Sequence, residues 1–312
     1  MADLIINKPT CAAVAEGNTG VPSCFQNIGK ITGLILVDKT TTFTPAEVAA
    51  FKTTLQTAVL TAGSGRVYPI FRFVEVADNS EDETISTTGY GNKEVANDGS
   101  YDWTFRFING GMCLNAHLRK FNSSDKKIML VDDSNVVYGT LDSTGNVNGL
   151  SGRIYTKKLK INDGSNATQY GVRVMLDKPE ELNDAPAFVV CDFNIENEIL
   201  GNLDVQLTEV ETALGVATIS LQTACGKVDL YDQYADILDD ISLWTVTKAG
   251  AAVTITSVTK DAVNKAWDIA FTGTGIHEIN LAAPSVLAAA GFGGYPENGY
   301  EGIALEVTMP VS

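Results

Sequence analysis

The chain has 312 residues, of which 45% are hydrophobic and 19% charged, and its formal net charge is −16 with a pI near 4.5. Nucleic acids and anionic membranes are bound through clustered Lys and Arg, so this charge argues against either as the main partner. A chain of this length and hydrophobic content can bury a large core, and we expect two domains, or one domain with a sizeable appendage.

The first 27 residues predict an arm. Leu4, Ile5 and Ile6 form a short strand-like run, but the segment has too little apolar surface to fold alone. We expect it to be held by the core or by a neighbouring subunit. The N-terminus lacks the basic and long apolar regions of a signal peptide, and no run approaches the ~18 apolar residues needed to cross a membrane. Synthesis and folding in the cytosol, without a membrane partner, are therefore expected.

The clearest local signal follows the first long strand candidate, 28–38. Thr44 can accept a hydrogen bond from the amide of Glu47, whose side chain can return it, and Pro45 occupies the first helical position. Apolar residues then recur on one face, at Val48, Phe51, Leu55 and Val59, and Gly63 follows them. This pattern predicts a helix over 45–62 that serves packing.

Strand character returns at 66–76, where Pro69 restricts the early part to an edge or a strand start. Residues 77–100 then form a long acidic loop with few large apolar side chains. A polar segment of this length inside a compact domain usually has a binding or functional role. Three interpretations stay open: a solvated hairpin that binds nothing, a loop ordered by a neighbouring subunit, and a lid over a small molecule.

The stretch 101–182 predicts a β-rich core with a covering helix. Alternation places Trp103, Phe105 and Phe107 on one face of a strand. Helical spacing of apolar residues predicts a short helix within 112–121. Further strands are predicted at 127–132, 152–161, 170–176 and 188–193, and the turn residues at 162–166 predict a hairpin.

From about residue 207, short strand-like runs follow one another at regular spacing. We interpret 205–214 as a junction. The predicted strands are 217–223, 226–230, 244–247, 253–259, 266–272, 276–281 and 303–309, with a short helix at 284–291. Such a count is typical of an immunoglobulin-like (Ig-like) sandwich. The predicted fold is mainly β: a β-sandwich or barrel core with one or two packed helices over 1–206, and a C-terminal Ig-like β-sandwich over 207–312.

Residues able to carry catalysis or hold a metal form no familiar arrangement. His117 and His277 stand alone in a helix and a strand, and no P-loop, G-x-S-x-G or H-E-x-x-H motif occurs. The acidic turns at 132–133, 142–148 and 239–240 offer oxygen ligands for weak calcium binding, but such turns are common in a chain of this charge. We predict no catalytic residue, no cofactor and no metal, and hence no enzyme.

The cysteines are odd in number and widely spaced: Cys11, Cys24, Cys113, Cys191 and Cys225. The absence of a C-x-x-C pair argues against a metal cluster or a disulfide scaffold. A bridge between Cys11 and Cys24 stays open for an oxidising compartment, and reduced thiols are the prediction for the cytosol.

Several segments carry a resemblance to a known family. In the core they are 98–103 (Asp-Gly-Ser-Tyr-Asp-Trp), 110–114 (Gly-Gly-Met-Cys-Leu), 131–133 (Val-Asp-Asp), 137–140 (Val-Tyr-Gly-Thr) and 176–182 (Leu-Asp-Lys-Pro-Glu-Glu-Leu). This core resembles structural virion proteins of tailed bacteriophages that infect Bacteroidetes-type bacteria, and most of all their tail tube (major tail) proteins. The C-terminal part, with Trp244, 284–291 and 299–302 (Gly-Tyr-Glu-Gly), resembles Ig-like modules appended to such proteins.

The resemblance implies self-assembly into rings, commonly hexameric, that stack into a tail tube. Strands of each subunit join an inner β-barrel, helix 45–62 packs outside, and the arm 1–27 and the loop 77–100 reach adjacent rings. The residues implied at the assembly interface are Leu4, Ile5, Ile6, Asp78, Glu81, Asp82, Glu83, Ile85, Tyr90 and Glu94. Other virion proteins are further partners, and DNA passes through an acidic lumen without specific binding. The implied location is the virion tail, assembled in the host bacterial cytoplasm.

Two other classes of protein stay open. One is a different virion component, such as a baseplate, sheath-associated or capsid decoration protein with the same Ig-like module. The other is a carbohydrate-binding adhesin or a hydrolase, in which exposed aromatic side chains stack on sugars. The candidate aromatics are Tyr231, Tyr234, Tyr295 and Tyr300.

Overall fold

The structure, a computed structural model, describes residues 3–4, 28–97, 99–108, 110–124, 126–162, 164–165 and 167–310, with the backbone alone for 3–4. It has 46% of its residues in strands and 17% in helices, so the predicted mainly-β fold is confirmed. The chain divides into two compact units. The first comprises Met1–Ala58 with Ser64–Ile199, and the second Val59–Gly63 with Leu200–Ser312.

The described residues up to Ile199 form fourteen strands and five short helices, of which α2 ends in the segment Val59–Gly63 of the second unit. In chain order the strands are β1 (Asp3–Leu4), β2 (Ile31–Asp38), β3 (Thr42–Phe43), β4 (Tyr68–Phe71), β5 (Phe73–Asp78), β6 (Thr84–Thr87), β7 (Lys93–Asn97), β8 (Asp102–Phe107), β9 (Lys126–Asp132), β10 (Val136–Leu141), β11 (Val147–Asn148), β12 (Leu150–Thr156), β13 (Tyr170–Leu176) and β14 (Pro186–Val190). The helices are α1 (Pro45–Ala49), α2 (Phe51–Leu60), α3 (Gly111–Leu118), α4 (Glu180–Asn183) and α5 (Ile195–Glu198), with a 3-10 turn at Arg119–Phe121.

The strand pairings of the first unit make a closed circuit. β9 pairs with β2, and β2 pairs with β4. Only Arg72, in a left-handed conformation, separates β4 from β5. β5 pairs with β8, β8 with β13, β13 with β12, and β12 with β9. Six strand positions therefore close on themselves, which leaves few free edges within the barrel.

Alternation along these strands fills the barrel with apolar side chains. Phe105 and Phe107 are 1% exposed and belong to one cluster with Leu118 of α3 and with Leu34 and Ile128. Asp102, on the opposite face of β8, is also buried, and Arg173 on β13 donates hydrogen bonds to its carboxylate. Both faces of β8 are therefore covered. Alternation of apolar and polar residues predicts a solvent-exposed polar face, but Asp102 and Thr104 on that face are buried.

The predicted helix over 45–62 is two helices. The capping box at Thr44 is present as predicted. Ala50, with φ −115° and ψ 36°, ends α1, and α2 starts at Phe51 and stops at Leu60. The apolar face nonetheless survives the break, because its members are at most 1% exposed: Val48, Phe51, Leu55 and Val59. The amphipathic period therefore located the buried face but gave no sign of the interruption.

The second unit is a sandwich of two sheets. Its strands are β15 (Leu203–Ala213), β16 (Val216–Thr223), β17 (Trp244–Lys248), β18 (Ala251–Ala252), β19 (Ile255–Asp261), β20 (Ala266–Phe271), β21 (Gly275–Leu281), β22 (Tyr300–Ile303) and β23 (Leu305–Met309). Its helices are α6 (Tyr231–Tyr234) and α7 (Pro284–Ala289), with a 3-10 turn at Ile241–Leu243. The sheet orders are β19-β20-β16-β15-β22 and β18-β17-β21-β23, and one apolar cluster lies between them.

Two predictions for this unit are wrong. Residues 205–214 are not a junction, because β15 runs through them and pairs with β16 as far as Ala213↔Val216. Its second half is exposed and charged, so the alternation that marks a half-buried strand is missing there. Residues 226–230 are not a strand, since Gly226 and Lys227 adopt left-handed backbone conformations and only an isolated bridge joins Asp229 to Gln222.

The prediction of reduced cysteines is wrong for Cys113 and for Cys225, since each of them forms a disulfide bond. Sequence spacing does not reveal which cysteines approach each other in the fold, so this could not be read from the chain. Cys191 is a buried free thiol, and burial raises its pKa to about 12. Cys11 and Cys24 lie outside the residues that the structure describes.

Over the ranges that the structure describes, no helix combines the length and the apolar character that crossing a membrane requires.

Candidate assembly surface

The segment predicted as the loop 77–100 is a long hairpin that continues the β5–β8 pair. Asp78 pairs with Trp103 at the end of the barrel, and Glu81 and Ser100 then form a bridge. Beyond them β6 and β7 pair as a separate two-stranded sheet. Beyond the barrel, the two antiparallel segments are therefore joined first by a single bridge and then by the β6–β7 ladder. We call residues 84–97 the outer hairpin.

Backbone and side-chain hydrogen bonds fix the base of the outer hairpin. The amides of Glu81 and Ser100 each donate to the other's carbonyl oxygen at 3.0 Å. Ser80 donates its hydroxyl to Asp78 at 2.5 Å and accepts from the amide of Asp102 at 3.2 Å. Gly99 has a φ of +77°, and a Cβ at this position would overlap the carbonyl oxygen of Glu81. A glycine is therefore required where the two strands separate.

The outer hairpin exposes its apolar side chains. Ile85 and Val95 face each other across the strands and are 58% and 51% exposed. Tyr90 stands in the turn and is 98% exposed. Every residue of β6 and β7 is exposed in the single chain. A lone two-stranded hairpin is marginally stable in water, so this one lacks the support that a core would give.

A cleft of about 580 Å³ lies at the base of the outer hairpin, against α4. Its walls carry six carboxylates, which we call the acidic cleft: Asp78, Glu81, Asp82, Glu83, Glu180 and Asp184. No Lys or Arg lines it among the residues described, and none of the six makes an ion pair there. The cleft thus presents uncompensated negative charge to solvent.

Local hydrogen bonds order parts of this cleft. The hydroxyl and amide of Ser80 donate to the Asp78 carboxylate and lower its pKa. The Tyr101 hydroxyl donates to the side-chain oxygen of Asn183 at 2.5 Å, which ties α4 to the start of β8. These bonds hold the walls in place while the remaining carboxylates stay open to a cationic partner.

The structure groups most of the predicted interface residues. Asp78, Glu81, Asp82 and Glu83 line the cleft, while Ile85, Tyr90 and Glu94 belong to the outer hairpin. Leu4 lies in β1, whose backbone pairs with β14, and is not brought to the cleft. Ile5 and Ile6 lie outside the described residues, as do most of the other arm residues.

Sequence reasoning missed Glu180 and Asp184. Both are distant in sequence from the loop, and the segment Pro179-Glu-Glu-Leu-Asn indicated only that a strand had ended. Its two adjacent glutamates were the one available signal of a second acidic wall.

The acidic turns considered for calcium use their oxygens within the chain. Asp132 accepts from the amides of Ser134 and Val136 at 2.9 Å and from the Tyr138 hydroxyl at 2.5 Å. Hydrogen bonds from Thr144 and Asn146 hold the pKa of Asp142 well below its usual range. Such bonds stabilise the turns themselves.

Three of the four aromatics considered for sugar stacking are buried. Tyr231, Tyr234 and Tyr300 are at most 8% exposed and belong to the core of the sandwich. Tyr295 is half-buried and donates its hydroxyl to the carbonyl of Leu200 at 2.8 Å. A platform for sugars therefore cannot be built from these four residues.

Comparison of the chain with protein-family models, with curated proteins and with solved structures finds no match.

Proposed function

We propose that the chain is a structural protein that assembles with copies of itself, and that it is of the tail-tube type. The observation that carries this proposal is the outer hairpin. It presents Ile85, Tyr90 and Val95 to solvent on a two-stranded sheet that the described part of its own chain does not cover. A neighbouring copy that covered these side chains would remove apolar surface from water, on the order of 1 kcal/mol for each.

The finer proposal is a ring, commonly hexameric in the family that the sequence resembles, and a stack of rings that forms the tube of a virion tail. The barrel of each subunit is filled with apolar side chains, so the channel in this proposal lies between the subunits of the ring. The net charge of −16 supports a channel that DNA crosses without specific binding, since like charges repel. Assembly then takes place in the host bacterial cytoplasm, together with other virion proteins.

Sedimentation velocity of the full chain over a concentration series tests the role of the outer hairpin. We expect wild type to form a large species as concentration rises. Tyr90→Ser should shift its appearance to at least about tenfold higher concentration, because the exposed ring no longer contributes burial. Val263→Ser is the matched control, since Val263 is 92% exposed at a turn of the second unit.

Three results would count against the proposal. If the wild type remained monomeric at every concentration, self-assembly would be ruled out. If Tyr90→Ser and Val263→Ser changed the concentration needed for assembly equally, the outer hairpin would not be part of the contact between copies. Isolated trimers, or copies that bind only to a preformed lattice, point instead to a baseplate or decoration protein.

A further inference from the structure

We propose that the acidic cleft and outer hairpin of one copy receive a basic hairpin at the opposite end of the barrel of a second copy. This inference rests on the proposed stacking function, and it identifies the surface that the next ring supplies. We define the basic hairpin as residues 157–161, which follow β12 and carry Lys157, Lys158 and Lys160.

The register of β8 and β13 places the two hairpins at opposite ends of the barrel. Asp102 pairs with Met175, and Phe107 pairs with Tyr170. The outer hairpin and α4 adjoin the Asp102 end, whereas the connection between β12 and β13 leaves at the Phe107 end. A six-residue strand separates these ends by about 20 Å.

The basic hairpin is ordered and exposed. The Lys157 amide donates to the carbonyl of Gly171 at 2.7 Å, and Lys160 and Gln169 form a bridge. Lys158 and Lys160 are exposed, and neither lies within ion-pair distance of an acidic residue in the described part of the chain. The ammonium groups are thus available to an external carboxylate.

Apolar side chains accompany the charges at both ends. Ile161 and Met112 are each 72% exposed at the basic end, where Ile108 also reaches 45%. At the acidic end the exposed apolar side chains are those of the outer hairpin. Each end therefore offers apolar surface to bury, and the carboxylates of the acidic cleft are opposite in sign to the lysines of the basic hairpin.

A second copy is the occupant that this arrangement favours. Because both surfaces belong to one chain and lie at opposite ends, a single contact repeated from copy to copy propagates head to tail. The resulting stack has a direction, with the acidic end of each layer against the basic end of the next. It also weakens as salt is added, since exposed charges are screened within about 8 Å at physiological ionic strength.

Charge reversal of the full-length protein tests the contact. One variant carries Lys158→Glu and Lys160→Glu, the other Glu81→Lys, Asp82→Lys, Glu83→Lys and Glu180→Lys, which reverse the sign of the cleft, and all six side chains are exposed. Each variant alone should stack only at a concentration at least about tenfold higher than wild type requires, because like charges then face each other. An equimolar mixture should stack again, since every junction in an alternating stack pairs opposite charges.

The control carries Lys227→Glu and Lys248→Glu at exposed positions of the second unit, which change the net charge by the same amount as Lys158→Glu and Lys160→Glu. Stacking is measured by electron microscopy and sedimentation velocity at low ionic strength, and circular dichroism checks that each variant is folded. This contact is overturned if each variant alone stacks as well as wild type, or if the mixture fails to stack. In either case, ring formation by wild type still supports the proposed function. A wild type that neither forms rings nor stacks overturns both.

Discussion

At the scale of single residues, Thr44 and Glu47 fix where the first helix begins. The Thr44 amide donates to the Glu47 carboxylate at 2.7 Å, and the Thr44 hydroxyl accepts from the Glu47 amide at 3.3 Å. Thr44→Ala should lower the free energy of unfolding by about 1 kcal/mol in urea titrations. Thr41→Ala is the control, because Thr41 caps no helix. An equal loss in both variants would contradict the role of the cap.

The same pair predicts a pH dependence. Hydrogen bonds from the amide and hydroxyl of Thr44 lower the pKa of Glu47 below its ordinary value of 4.5. A lowered pKa means that the bonded carboxylate stabilises the fold above that value, and that this stability is lost as pH falls through the folded-state pKa. The difference between wild type and Thr44→Ala should therefore shrink in acid. A difference that grew as pH fell would contradict the assignment.

Another residue-scale prediction concerns the covered face of β8. Arg173 pairs with Asp102, which is 7% exposed, so removal of the guanidinium leaves a buried carboxylate without a partner. Arg173→Gln should lower the free energy of unfolding, by less than the loss of a fully buried pair because the Arg173 side chain is 40% exposed. Arg153→Gln is the control and should cost less, since its pair with Asp177 is exposed on both sides and screened by solvent. Equal costs in denaturant titrations would show that burial of Asp102 does not matter.

At the scale of elements, the base of the outer hairpin determines where its apolar face points. Gly99→Ala should disturb the Glu81–Ser100 bridge, because an added methyl group meets the Glu81 carbonyl. Gly91→Ala is a matched control, since Gly91 also has a positive φ but open space around it. We expect Gly99→Ala to raise the concentration needed for assembly several-fold more than Gly91→Ala, as measured by sedimentation velocity. Identical behaviour of the two variants would contradict a role for hairpin orientation.

At the scale of the whole molecule, local sequence signals predicted the fold better than they predicted the site. The capping box and the alternation in 103–107 are each formed by residues only a few positions apart in the sequence, so each can be recognised from the sequence directly. The break at Ala50 and the strand through 205–214 depend on packing that local periodicity does not record. The acidic cleft joins residues 78–83 to residues 180–184. Only the closure of the barrel brings those segments together.

Negative-stain electron microscopy of the full-length protein over a concentration series tests self-assembly through the outer hairpin most directly. A variant in which a short Gly-Ser turn replaces residues 84–97 is imaged beside it. We predict rings and stacked tubes for wild type, and a folded protein without stacks for the variant. Single particles of monomer size from wild type at every concentration, or tubes from the variant as well, would contradict the account.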